Sequence, residues 1–149
     1  MSEIKPIEEA VRCWIEAWSN RDKDGVLSVW DDQDSEATYL PAEREDALIG
    51  VAAVEHYVTA LCDQFSTIHH RPNSIIIKRL ADDVALVFYV LDWAVSDDRG
   101  PIGGRCRVTA VWRNRDADWK LTHYAESPLA PLVELKEFYQ HVAAQGLPA

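Results

Sequence analysis

Most of the patterns that mark a function class are missing from this sequence. It has only three cysteines, Cys13, Cys62 and Cys106, far apart and each inside an apolar pattern. No pair has the spacing of a metal or redox motif, so they read as small buried hydrophobes in a reducing cytoplasm. Basic side chains are scarce: 15 Lys and Arg face 25 Asp and Glu, a formal charge of −10. Such a surface repels phosphate backbones and anionic lipid, which excludes general binding to nucleic acid or membrane. No apolar run approaches the roughly 18 residues of a spanning helix, and Met1 to Pro6 lack the apolar core of a signal peptide. The chain is therefore expected to be soluble and cytoplasmic. There is no Gly-rich phosphate loop, Ser nucleophile elbow or Cys–His signature. Asp31, Asp32, Asp34 and Glu36 lack the Gly and distal Glu of a calcium loop. His69 and His70 would point to opposite faces of a strand, so they do not chelate together. Neither a metal nor a cofactor is expected.

What is present describes one domain, residues 1–149, long enough to bury a core without disulfides. Of the 149 residues, 48% are hydrophobic and six are tryptophan, which supplies bulk for that core. Ile7, Ala10, Val11, Trp14, Ala17 and Trp18 recur at helical steps, with Pro6 in the first turn. A second short helix carries Val26, Leu27, Val29 and Trp30, with Asp22 or Asp24 as its N-cap. Residues 31–36 are a polar turn, and Ala37 to Leu40 read as a short strand stopped by Pro41. Gly50 precedes a third helix bearing Val54, Tyr57, Val58, Leu61, Cys62 and Phe65. The period then changes: Ser74 to Leu80, Val84 to Val95, Arg105 to Arg113 and Trp119 to Ala125 are strand-like. Short turns between them imply an antiparallel sheet. A weak stripe at Leu132, Leu135, Tyr139 and Val142 reads as a final helix. The order predicts an α+β fold with helices on one face of a bent sheet, enclosing a pocket.

Four stretches resemble the NTF2-like superfamily, specifically its SnoaL-like and ketosteroid-isomerase-like branch. They are the run Arg21-Asp22-Lys23-Asp24-Gly25 into the second helix, and Gly50 opening the third. The other two are Val111-Trp112-Arg113-Asn114-Arg115-Asp116 with Trp119 to His123 as a last hairpin, and the ending His123-Tyr124-Ala125-Glu126-Ser127-Pro128. The resemblance implies a cone whose strongly curved antiparallel sheet holds the helices on its concave face. It also implies frequent dimerisation through that sheet and a pocket used for isomerisation, cyclisation, dehydration or plain binding. Fold alone does not choose among these. Ketosteroid isomerases combine a carboxylate base with an oxyanion hole of tyrosine and protonated aspartic acid. The corresponding positions here are Leu40, Trp14 and Ala110, which cannot transfer protons, and Ala125 replaces the second histidine of the branch's His-x-His-x-Ser ending.

Two side chains remain as acid–base candidates. Strand alternation groups His123 with Trp119, Leu121 and Ala125 on an apolar face, where an imidazole can act as acid or base. The alternative is a core histidine bonded to carbonyls or tyrosine hydroxyls. Asp92 interrupts an apolar strand; inward it would have a raised pKa, outward it would pair with Arg105 or Arg107. Trp14, Trp18, Leu40, Tyr57, Leu61, Ala110, Trp112 and His123 are the expected pocket lining, with core filling the alternative for the tryptophans. Arg105, Arg107 and Arg113 alternate with Cys106, Val108 and Trp112 and so belong to the outer face. The expected function is binding of a small, largely apolar or aromatic molecule, with proton-transfer chemistry if there is catalysis. The alternative is a non-catalytic dimeric module that uses the arginine-rich face. A homodimer is expected on either reading.

Overall fold

The computed structural model describes residues 4–129 and 132–146; the ends of the 1–149 span, including Met1 to Glu3, lie outside the described residues. Helix α1 (Ile4–Ser19) buries Ile7, Val11, Trp14, Ile15 and Trp18 on one stripe, at the three- and four-residue steps of its sequence. Arg21 turns the chain with φ 53° into α2 (Lys23–Ser28). The Asp22 carboxylate caps α2 by accepting from the Gly25 N–H at 3.0 Å. A Cβ at Gly25 would stand 2.5 Å from Asp22 Oδ2, so this cap demands glycine. The Arg21 guanidinium donates to the Cys62 and Ser66 carbonyls, tying the turn to the end of α3 (Val51–Gln64).

The sheet has six strands: β1 (Thr38–Leu40), β2 (Leu48–Ile49), β3 (Thr67–Ala81), β4 (Val84–Asp97), β5 (Gly100–Arg115) and β6 (Asp118–Pro128). Their spatial order is β2-β1-β6-β5-β4-β3. The expectation of an antiparallel sheet needs one correction, since β1 runs parallel to β6 with Tyr39 beside Tyr124. The cause lies just upstream. Residues 29–31 already run alongside β6, Leu121 N–H donating to Val29 O and Asp31 N–H to Leu121 O. The short strand β2 carries no sequence signal, and β3 begins seven residues earlier than its β-branched run, at Thr67 rather than Ser74. Pro72 is tolerated because β3 is an edge strand, where a missing N–H breaks no central ladder.

On β4, Ala85, Val87, Tyr89 and Leu91 are buried and the alternate residues are partly open, so one face looks inward. Cys106, Val108, Ala110 and Trp112 continue that face on β5. Val87, Leu91 and Val108, fully buried there, contribute about 1.5–3 kcal/mol each. On β6 alternation breaks. His123 pairs with Val111 while Leu121 pairs with Trp112, so Thr122 is an extra residue, a β-bulge. Leu121 and Tyr124 both face inward as a result. The Trp14 indole meets Trp112 edge-on at 6.3 Å and Tyr124 at 4.9 Å, closing the helix layer on the sheet. Helix α4 (Leu132–Ala144) follows β6 and leaves Phe138 and Tyr139 exposed.

Candidate functional site

A cleft of about 670 Å³ opens where α1 and α3 diverge from the inner face of the sheet. Trp18 closes one side, and Tyr57, Leu61 and Phe65 of α3 another. Tyr39, Glu43 and Arg44 come from β1 and the segment after it. The sheet contributes Ile68 and His70 of β3, Trp93 and Val95 of β4, Ile102 of β5 and Glu126 of β6. The Trp93 indole lies against Gly104, where a Cβ would come within 3.3 Å of Cζ2, so the missing side chain leaves that ring its place.

Glu126 is the carboxyl set into the inner wall. Its Oε2 accepts from the Cys106 thiol at 3.3 Å, and Oε1 accepts from the Ala42 N–H at 3.4 Å. Burial raises its pKa above the usual carboxylate range, and the charge of Glu43 pushes the same way. The Cys106, Ala42 and Tyr124 contacts oppose both. Burial and the charge of Glu126 in turn hold the Tyr39, Tyr89 and Tyr124 phenols and the Cys106 thiol in their neutral forms. Tyr39 stacks on Tyr124 at 4.9 Å and leans on Tyr57 at 5.3 Å. The Tyr57 hydroxyl donates to Glu43; burial first, and that bond second, keep the phenol protonated.

His70 stands on the far wall, on β3, separated from β6 by the two strands β5 and β4. Its ring packs beside Trp18 at 5.6 Å, and Ser19 Oγ both accepts from its N–H and donates to its carbonyl. Burial lowers the imidazole pKa to about 4, so the ring is neutral at physiological pH. It has no side-chain hydrogen bond among the described residues and keeps one edge on the cleft. The cleft thus sets a carboxyl with a raised pKa and an imidazole with a lowered one around an aromatic cavity. Groups whose environments separate their pKa values in this way can divide acid and base roles.

Of the expected lining residues, Trp18, Tyr57 and Leu61 border the cleft. Trp14, Ala110 and Trp112 are buried in the core behind its wall, as the core-filling alternative has it for the tryptophans. Leu40 and His123 lie on the opposite face. Leu40 pairs with Ala125, one step out of phase with the inward Tyr39–Tyr124 pair. Simple alternation groups His123 with Leu121, but the extra residue at Thr122 reverses its face. Asp92 is outward too, held by Arg105 at 2.6 Å, Arg71 at 2.9 Å and Asn73 at 3.0 Å. Those bonds, Arg105 first, pull its pKa well below the ordinary value, the reverse of the shift an inward Asp92 would show. Sequence reasoning missed Glu126, Tyr39, His70 and Glu43. Tyr39 is one residue from Leu40, and Glu126 lies in the same six-residue ending as His123, so the right segments were in view at the wrong phase.

Among the described residues no group of three or more His, Cys, Asp or Glu could hold a metal. A second depression of about 600 Å³ adjoins the cleft and shares Gln64 and Phe65 with it. Its arginines are already committed, Arg21 to the Cys62 and Ser66 carbonyls and Arg99 to Asp97, which leaves it poorly equipped to hold a ligand.

Residues 7–131 match the profile of the SnoaL-like domain. The chain belongs to the SnoaL-like domain family. Solved structures agree on the fold of this SnoaL-like domain. A proposed dehydratase of the NTF2-like family from Streptomyces avermitilis superposes with a TM-score of 0.77 at 18% identity, covering 87% of this chain and 99% of that one. A proposed scytalone dehydratase from Novosphingobium aromaticivorans gives a TM-score of 0.77 at 13% identity, over 87% and 85% of the two chains. A Caulobacter vibrioides protein with a cystatin-like fold gives 0.75 at 13% identity, over 95% and 99%. No curated protein matches the chain. At these identities the structures speak for the NTF2-like fold of this SnoaL-like domain and for nothing finer.

Proposed function

We propose that this SnoaL-like domain binds a small, largely apolar or aromatic molecule in the cleft and that Glu126 moves a proton there. The observation that carries the reading is a carboxyl of raised pKa set into the aromatic wall of a cavity of about 670 Å³. A protonated Glu126 is a general acid and its anion a general base, while neutral His70 on the opposite wall is available as the complementary base. Such a pair serves isomerisation, cyclisation or elimination of water, reactions that need no metal or cofactor. The dehydratase descriptions of two structural neighbours are consistent with that class. Three free thiols fit a reducing cytoplasm, and no described helix is long and apolar enough to cross a membrane.

A thermal-shift panel of steroids, polyketide-like aromatics and small carboxylic acids tests the binding. A cleft ligand at 100 times its Kd adds about 2.7 kcal/mol, roughly 5–10 °C at this size. The shift should vanish when Trp18 or Tyr57 is changed. Turnover of any compound that shifts should be lost in Glu126→Gln, with binding of uncharged compounds retained. A panel without a single shift would count against the reading.

The outer sheet face favours a second reading, a dimeric module. Ile76 stands opposite Phe88 and Leu86 opposite Val111, an apolar strip beside Arg105 and Arg107. We infer that two copies meet on it. Sedimentation equilibrium should give a dimer that Phe88→Glu dissociates; a monomer at tens of micromolar would count against it.

A further inference from the structure

The charged lining of the cleft holds two carboxylates, Glu43 and Glu126, against one cation, Arg44, and that imbalance selects a ligand charge. Glu126 has no ion-pair partner among the described residues, and neither has Glu43, although the carboxylates of Glu8, Asp31, Asp92 and Asp97 all hold an arginine. Glu43 sits at the rim, yet its charge acts on Tyr39, Cys106 and Glu126 within the wall. Arg44, the neighbouring cation, is exposed and is felt at Tyr57 as the smallest of several influences. His70, neutral and without a side-chain partner, adds a further acceptor on the far wall. A carboxyl drawn out of water without a countercharge is costly unless something supplies one. Tyr39, Tyr57, Trp18 and Trp93 present aromatic surface to the same space, and a cation over such faces is attracted to the ring quadrupoles. The net charge of −10 draws cations toward the molecule from a distance.

We propose that the ligand of this cleft carries a protonated amine, seated between Glu43 and Glu126 with its apolar body against Trp18, Tyr57 and Trp93. This rests on the cleft being the binding site and adds the charge of what enters it. The groups facing Glu126 are Glu43, Tyr39, Tyr57, Tyr89, Cys106 and Tyr124; none is a cation, so the ammonium is the one positive charge in contact with it. Binding therefore favours the ionised carboxyl, and the fraction of Glu126 that is protonated releases its proton as the amine enters.

Three probes of matched shape test this: phenethylamine, 2-phenylethanol and 3-phenylpropionate, titrated calorimetrically into the full chain in two buffers of different ionisation enthalpy. The amine should bind at least about tenfold tighter than the alcohol, with a proton release that grows smaller as pH rises. In Glu126→Gln the amine should lose that advantage and the release should disappear, while the alcohol is unchanged. Asp92→Asn, outside the cleft, should leave all three as they were. If the alcohol or the carboxylate binds as tightly as the amine and is displaced by changing Trp18, the amine assignment falls and the cleft stands. If none binds at millimolar concentration the amine assignment also falls, and the wider panel above judges the cleft.

Discussion

Two titrating side chains give the cleft opposite pH signatures, which separates them experimentally. The folded state raises the pKa of Glu126 above its unfolded value, so it binds that proton more tightly than the unfolded chain does. Stability from this group is complete below about pH 4.5 and is lost as pH rises through the raised value. Glu126→Gln should therefore raise Tm at pH 7–8, with the gain fading toward pH 4. His70 acts the other way. Its folded value of about 4 lies below the unfolded value near 6.5, so the unfolded chain gains the proton first on acidification. Stability present at pH 7 should fall between about pH 6.5 and 4, by on the order of 3 kcal/mol in all. Tm measured across that window should lose this slope in His70→Gln. His123→Ala, on the outer face, should stay within about 0.5 kcal/mol of the parent and leave every cleft ligand's shift intact. A large loss of ligand response in that variant would mean that His123 faces the cleft.

Within the elements, helical stripes were legible because Trp14 and Trp18 could serve only a buried face. The β4 strand was legible from its apolar run, but that run left open whether Asp92 faces inward or outward. The β6 phase was not legible. Nothing in Leu121-Thr122-His123-Tyr124 announces a bulge, because Thr122 is as good a strand residue as its neighbours. Its only marks are tertiary, the slip against β5 and the Thr122 hydroxyl donating to Val111 O at 3.2 Å. Deleting Thr122 should restore plain alternation with Tyr124 and Glu126 still inward, and so preserve ligand binding. The turn after α2 has its own anchor, also unread in the sequence. Asp31, 1% exposed, accepts from Arg115 Nε at 3.0 Å and from the Gln33 N–H. Asp31→Ala removes that charged hydrogen bond from a guanidinium that stays partly solvated and should cost about 1.5–3 kcal/mol in urea unfolding.

At the scale of the molecule, the helix-then-sheet order was enough to predict α+β architecture with the helices on one face, since a half-buried sheet of this size needs one cover. The parallel placement of β1 was beyond that reasoning, as a three-residue strand carries no mark of its direction. This small strand has a dynamic consequence. Tyr39, Glu43 and Arg44, one whole wall of the cleft, hang from three β1 residues, while β3, β4 and β5 are tied along 14 to 16 residues each. Opening that breaks the β1–β6 ladder and leaves the long hairpins intact is the low-energy way to widen the mouth. Amide hydrogen exchange should report it directly: the Tyr39 and Leu40 amides should exchange by a local route faster than those of Val87 and Val108, and a bound ligand should slow them most. The wall that senses the ligand's charge would then also be the door through which it comes and goes.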